Sequence, residues 1–467
     1  MSDPAIRFLD NPAGLTQSGH PSLPLFAVRP DEVEALLPRF AASALLQAKL
    51  NDFHGQAGHV LRLPDEQGNL AGAVLGLGST DIMSGFGAAA TTLPPNTVWH
   101  IEKGNFNETD AELGFLLGAY KYQSQITKKV STAHIKSVSH SSRIVAGSIM
   151  MARELINAPP NQLGPKELAD AVEMISKRFN ANMVRLNNND LKAHFPTLYA
   201  VGAGSERAPE AVILRWQGSN TDETSPLISL CGKGVCFDTG GYDLKPSDSM
   251  RLMRKDMGGA AIALGLASAI MALNLKLRLE LRIGCVENSI SGHSMRPSDI
   301  LTTRSGLTVE VGNTDAEGRL LLCDLLHEAC EAKPDWLIDI ATLTGAARVA
   351  LGPDLPALFC NNDNMADAIL AAGQICNDPL WRLPLHEGYK TWLSTPFADL
   401  CNISSKPFAG AITAALFLQH FVAAQTPWAH IDVYAWNATN RPGRPEGGEA
   451  QTLRSLLAAI TEMAKNA

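Results

Sequence analysis

Cysteine is missing from the first 230 residues of this 467-residue chain. The eight that follow (Cys231, Cys236, Cys285, Cys323, Cys330, Cys360, Cys376 and Cys401) sit mostly inside apolar runs and form no CxxC pair. That favours buried free thiols in a reducing compartment over disulfides. A basic excess is missing too. The net charge is −8, residues 1–140 hold 10 Lys or Arg against 13 Asp or Glu, and no basic run there exceeds the Lys128–Lys129 pair. Nothing in this balance calls for a nucleic acid partner. The opening MSDPAIRFLD has no apolar core, so no secretory signal is expected. The longest apolar run, Gly258 to Leu275, falls short of the ~20 residues that a spanning helix needs and reads as a buried helix. No repeats and no low-complexity tracts occur. A cytoplasmic protein without membrane contact is expected.

With 45% hydrophobic residues there is ample apolar material, and the length suits two domains. Residues 1–140 read as a small N-terminal α/β domain. A proline-rich start (Pro12, Pro21, Pro24, Pro30) precedes an expected helix over 31–50, strands VLRL and LAGAVLGLG, and a helix over 108–123. A helix halted by Pro159 and Pro160 connects it to a catalytic domain over 141–467. There, strand-like AVILRW, LISLCGKGVCF, LRLELRIGCV, LTVEVG, DWLIDIATLTG and WAHIDVYAW alternate with helix-like GGAAIALGLASAIMAL, GRLLLCDLLHEACEA and GAITAALFLQHFVAA. The alternation predicts a central mixed, mostly parallel sheet flanked by helices.

Charged residues crowd two segments where an α/β core is ordinarily apolar. Residues 232–261 contain Lys233, Asp238, Lys245 and Asp256, and residues 313–321 contain Asp315, Glu317 and Arg319. Lys233 and Asp238 interrupt the carboxyl end of an apolar strand, the usual place for a site in an open α/β sheet. Gly240 and Gly241 then permit a tight turn. Taken alone, Asp256 is most simply a helix cap and the lysines are surface strand ends. Together beside a Gly-Gly turn they are harder to dismiss. Asp315 and Glu317 are two apart and, in an extended segment, share one side. Buried side by side they need cations. Oxygen ligands with a lysine nitrogen suit Mg²⁺, Mn²⁺ or Zn²⁺. Arg319 at a helix start makes an anion site.

GKGVCFDTGG, LKPS, MRKDMGGAA and NTDAEGRL together resemble the leucyl aminopeptidase (cytosol aminopeptidase) family of dimetal exopeptidases. The likeness continues through DIATLTGA, WRLPL, ADLCN, GAITAALFL and WAHID, covering about 150–460. It implies an enzyme releasing N-terminal residues from short peptides with a two-metal-activated water. Asp238 and Glu317 would bridge the metals, Lys233 and Asp256 would complete the tighter site, and Asp315 the more exchangeable one. Lys245 would polarise the scissile carbonyl, and Arg319 would hold a bicarbonate acting as general base. Met253, Asn313, Thr342, Leu343 and Gly345 would bind substrate. Zinc or manganese would be the metals, with magnesium a third option, and the assembly a homohexamer built as a dimer of trimers.

The physics agrees with these roles. Two dications would keep a ligating Lys233 neutral, whereas Lys245 must stay charged to stabilise an oxyanion. Two departures stand out. FDTGG replaces the commoner FDSGG, and VYAWN, with Tyr434, Trp436 and Asn437, is bulkier and more polar than the small aliphatic residues usual after WAHID. A dinuclear phosphoesterase is the competing enzyme reading. Such sites usually include histidine, and none of the 12 histidines falls in either segment. An inactive structural relative is opposed by the presence of all seven charged residues.

Overall fold

The computed structural model describes residues 3–466 apart from 17, 18, 20, 124, 125, 128, 129 and 137. The Lys128–Lys129 pair lies outside the described residues. The chain divides into two compact units. One comprises Met1–Ile6, Met151–Trp436 and Gly448–Ala467, and the other Arg7–Met150 and Asn437–Gly447.

The smaller unit carries a five-stranded sheet in the order Val60–Pro64, Leu70–Gly76, Leu23–Val28, Val98–Ile101, His134–Ile135. Its central strand, Leu23–Val28, comes from the stretch that proline made look irregular. Pro24 sits near its start, and the strand pairs in parallel with both neighbours. The helix expected over 31–50 is broken into Val33–Leu36 and Ala42–Leu50 with 3-10 turns between and before. Pro38 is the cause: it removes an amide donor and its ring clashes with a preceding carbonyl. The helix expected over 108–123 stops at Ala119. It lies so close to the Ile82–Thr92 helix that a Cβ on Gly118 would sit 2.1 Å from the Gly87 carbonyl oxygen.

The larger unit is built on an eight-stranded sheet. Its order is Trp381–Arg382, Ala357–Cys360, Trp428–Asp432, Trp336–Ala341, Leu227–Asp238, Arg278–Asn288, Glu210–Gln217, Asn182–Asn187. The middle four strands run parallel, and antiparallel pairs occur toward both sides. This is the mixed, mostly parallel sheet that the alternation predicts. The Leu227–Asp238 strand is buried over nearly its whole length, as its uninterrupted apolar run requires when helices cover both faces. Successive side chains of a strand point to opposite faces. Gly232 meets Ala260 of the Gly258–Ala272 helix, whereas Cys231 meets Leu325 of the Glu317–Glu331 helix. Lys233 therefore shares the face of Cys231, and its side chain runs against Gly318, where a Cβ would lie 2.6 Å from its Cε. The strand's alternation thus aims Lys233 at the start of the helix that carries Glu317.

With the 3-10 turn before it, the apolar helix runs from Met253 to Ala272, long and apolar enough on those grounds alone to cross a membrane. It is nevertheless packed inside the unit as expected, with 94% of its most apolar stretch buried. Its close seat on the sheet depends on Gly259, where a Cβ would stand 2.0 Å from the Ile340 carbonyl oxygen. Gly259→Ala should therefore destabilise the protein by about 1–3 kcal/mol through overpacking. Gly292→Ala, where an added Cβ meets nothing within 4 Å, should stay within about 0.5 kcal/mol of wild type. Urea unfolding of both variants decides the matter, and equal midpoints would contradict the packing described.

Candidate active site

The charged residues of the two segments converge at the carboxyl ends of the parallel strands. Asp238 ends its strand. Gly240 and Gly241 follow with φ of 89° and 66°, a left-handed pair that turns the chain back. The Lys245 amide closes the turn on the Thr239 carbonyl at 3.0 Å. Lys245 Nζ is thereby brought to 2.8 Å from Asp238 Oδ2 and into an ion pair with Asp315. The other Asp238 oxygen accepts from the Gly240 amide and from Asn288 Nδ2, both at 2.8 Å.

Asp256 is not a helix cap. It lies within the Met253–Met257 3-10 turn, and Met257 takes the cap position with no side-chain bond. Its carboxylate instead accepts from Thr342 Oγ1 at 2.7 Å and pairs with Lys233 Nζ at 2.9 Å. Lys233 also reaches Glu317 Oε1 and the Thr342 carbonyl, each at 2.9 Å. Nor do Asp315 and Glu317 share an extended segment: the strand there is only Thr308–Glu310, Asp315 lies in a turn, and Glu317 is the first residue of its helix. The turn and the helix start, rather than strand alternation, bring the two carboxylates to one side.

Several supporting residues carry no signal of their own in the sequence. Thr314 ties the two loops together, donating from its amide to Asp243 at 2.7 Å and from its hydroxyl to the Gly240 carbonyl at 2.6 Å. Asn402 accepts from the Gly312 amide at 2.7 Å and donates to the Asn313 carbonyl at 2.8 Å, while its own carbonyl accepts from Arg319. Asp432 accepts from the Leu343 and Thr344 amides and from the Thr344 hydroxyl. Asn402 and Asp432 fall inside the ADLCN and WAHID stretches, which was the one available hint.

A cavity of about 660 Å³ opens over this cluster. Lys233, Asp238, Lys245, Met253, Asp256, Asp315, Glu317, Arg319, Thr342, Leu343 and Gly345 all line it. Asn313 does not; its carboxamide receives the Asp315 amide at 2.6 Å from behind the wall. Tyr434 lines the cavity, whereas Trp436 and Asn437 do not. Neither cysteine nor histidine is among the lining residues.

Ligand oxygens of Asp238, Asp315 and Glu317 all lie within 4.8 Å of one another. Burial first, then the charge of Asp238, pushes the Glu317 carboxyl up to about 8 and that of Asp315 up to about 6. Burial also opposes the charge of both lysines, yet Asp256 and Glu317 around Lys233, and Asp238 beside Lys245, hold each above the ordinary lysine value. Burial works against the Asp256 carboxylate too, but Lys233 overrides it and keeps that group below its usual value. Glu317 Oε2 and Arg319 Nε are buried without a hydrogen-bond partner. Crowded, desolvated carboxylate oxygens short of donors are what a hard or borderline dication compensates, so the residues present fit such ions.

The raised carboxyl values fix a sign. Above about pH 4–5 the unfolded chain has shed protons that Glu317 and Asp315 still hold when folded. In the metal-free protein their contribution is therefore present at low pH and lost as pH rises through about 6 and about 8. A cation bound there displaces the same protons and binds more tightly at higher pH. The rise in Tm given by MnCl2 over EDTA should thus be larger at pH 7.5 than at pH 5.5, and Glu317→Gln should remove most of it. This difference cancels histidines titrating in both samples. A pH-independent manganese increment would contradict the assignment.

The profile described as "Cytosol aminopeptidase family, catalytic domain" matches residues 150–457, and that of "M17 aminopeptidase, N-terminal domain" matches 23–137. A "Probable cytosol aminopeptidase" of Rickettsia bellii is 40% identical over 325 residues, which is 68% of this chain and 64% of the relative, so the match spans just under two thirds of that protein. The crystal structure of a cytosol aminopeptidase from Coxiella burnetii is 41% identical, covers 96% of this chain and 99% of its own, and superposes with a TM-score of 0.91. A structure described as "Bottromycin maturation enzyme BotP in complex with Mn" is 28% identical with a TM-score of 0.85, covering 95% of this chain and 99% of its own. With both domains matched and the catalytic profile spanning well over half its length, the chain belongs to the cytosol aminopeptidase family, a family of metal-dependent peptidases.

Proposed function

We propose that this protein is a two-metal aminopeptidase that releases N-terminal residues from short peptides. The observation that carries this reading is the Asp238–Asp315–Glu317 cluster, two of its carboxylates buried and Asp315 half-buried, with an unpartnered Glu317 oxygen, facing a cavity edged by Lys245. Asp238 and Glu317 would be shared between two cations, Lys233 and Asp256 would serve one of them, and Asp315 the other. Zinc or manganese suits this oxygen and amine set, magnesium less so. Arg319, which lines the cavity and whose buried Nε has no hydrogen-bond partner, would hold a bicarbonate. When bound, the cations and bicarbonate supply an acidified water, a Lewis acid, an anchor for the substrate α-amine and a base for the water's proton.

The chain's own residues do the rest. Lys245, kept cationic by its carboxylate neighbours, places its ammonium where the scissile carbonyl oxygen gains charge. The backbone about Leu343 and Gly345 holds the peptide extended along the wall, a segment fixed by Asp432 through the Leu343 and Thr344 amides. Met253 and Thr342 bound the substrate beside Asp256, and Asn313 sets the Asp315 turn. Tyr434, filling a position where small side chains are usual, argues for a first-residue preference other than plain leucine. A cytoplasmic homohexamer, a dimer of trimers, completes the reading; light scattering showing an active monomer would remove that part.

Chelation should abolish hydrolysis of aminoacyl p-nitroanilides, and Mn²⁺ or Zn²⁺ should restore it. Full activity in a demonstrably metal-free sample, or hydrolysis of p-nitrophenyl phosphate in place of the anilides, would overturn the reading. The two lysines separate further. Lys245→Ala should keep both metals and lower kcat about 10²–10³-fold with a smaller change in KM. Lys233→Ala should weaken one metal and be partly rescued by excess metal. Metal analysis and single-turnover rates of both variants test this, and the reverse pattern would exchange the roles.

A further inference from the structure

One wall of the cavity is cationic in a way that the proposed chemistry does not use. Lys255 lies directly before Asp256 and lines the cavity. It is only 6% exposed, and its ammonium has no hydrogen-bond or ion-pair partner among the described residues. Its Nζ stands 4.6 Å from the centre of the Tyr434 ring. The guanidinium carbon of Arg348 stands 4.9 Å from the same centre, and that guanidinium too lacks a hydrogen-bond or ion-pair partner among the described residues. Two cations sharing one aromatic ring repel each other, and the ring attracts each by only about 0.5–2 kcal/mol. The acids nearest to Lys255 attract it but make no ion pair with it. Asp256 is engaged by Lys233 and Thr342, Asp432 is committed to Leu343 and Thr344, and Asp248 is exposed with no ion pair among the described residues. A nearly buried, unpartnered ammonium facing a cavity is costly unless an anion arrives to meet it.

We infer that Lys255, Tyr434 and Arg348 form the pocket for an acidic N-terminal side chain, so that the preferred substrates are peptides beginning with glutamate or aspartate. The inference rests on the aminopeptidase reading and names its substrate class. Position supports it. Lys255 is the immediate neighbour of Asp256 and sits two residues from Met253, so its wall adjoins the reacting amide and meets the side chain of the residue being released. Lys255 supplies a point charge at the buried end, Arg348 a fork of donors at the exposed end, and the Tyr434 ring packs the methylenes between.

The test compares Glu- and Gln-p-nitroanilide, equal in shape and different in charge, with a leaving group that carries no carboxylate. Wild-type kcat/KM should favour the Glu substrate by about ten- to a hundredfold, as a hydrogen bond to a charged group is worth, and the ratio should shrink as salt is raised. Lys255→Met should bring the ratio to about one. Arg348→Gln, an exposed change that spares folding, should lower it in part, and both variants should still bind manganese. A wild-type ratio at or below one, or a ratio unchanged in both variants, overturns the inference. Turnover of neutral substrates without an acidic preference sinks only this pocket, whereas no turnover of any aminoacyl substrate with Mn²⁺ or Zn²⁺ sinks the aminopeptidase reading beneath it.

Discussion

Everything about this molecule's larger unit is arranged around the cost of burying like charge. Asp238, Asp256, Asp315 and Glu317 are drawn together at the ends of parallel strands, three of them almost fully buried. The two buried ammonium groups among them meet only part of the repulsion. The raised Glu317 and Asp315 carboxyls register the remainder. Such an arrangement is unfavourable by itself and becomes favourable once cations arrive, so the site and its metals are one thermodynamic object.

The scaffold draws these groups from four separate segments that pack on one another. Lys233 and Asp238 belong to the central strand, Asp256 to a 3-10 turn, Asp315 to a loop and Glu317 to a helix start. The connecting polar bonds are not optional decoration. Thr314 fastens the 240–245 loop to the 313–315 turn, Asn402 fixes the same turn from behind, and Asp432 sets the 343–345 wall. Moving any one of these side chains would disturb either a charged group or the wall beside it, and small misplacements matter where cations and a reacting carbonyl must meet.

Much of the site could be read from the chain because its charges break apolar runs. Lys233 and Asp238 stand out at the end of LISLCGKGVCF, and Asp315 with Glu317 stands out before GRLLLCDLL. Local misreadings had local causes. Pro38 splits an apparent single helix, and Pro24 disguises the central strand of the smaller sheet. Asp256 looked like a cap because nothing in its neighbourhood reveals Thr342 and Lys233, which lie 86 and 23 positions away. Lys255 and Arg348 carried no signal at all, since a lysine in MRKDM and an arginine in GAARV read as ordinary solvated charges.

The sequence by itself determined the layered α/β class, the parallel run of buried strands and the identity of the charged residues, because periodicity and burial follow from local chemistry. Tertiary structure alone decided which of those charges face one another. It took Asp256 away from its helix end, turned Asp315 and Glu317 to one side without a strand, and set two unpaired cations on one tyrosine ring. Those outcomes depend on contacts between segments tens to hundreds of residues apart, and no local pattern encodes a distance that only the packed sheet defines.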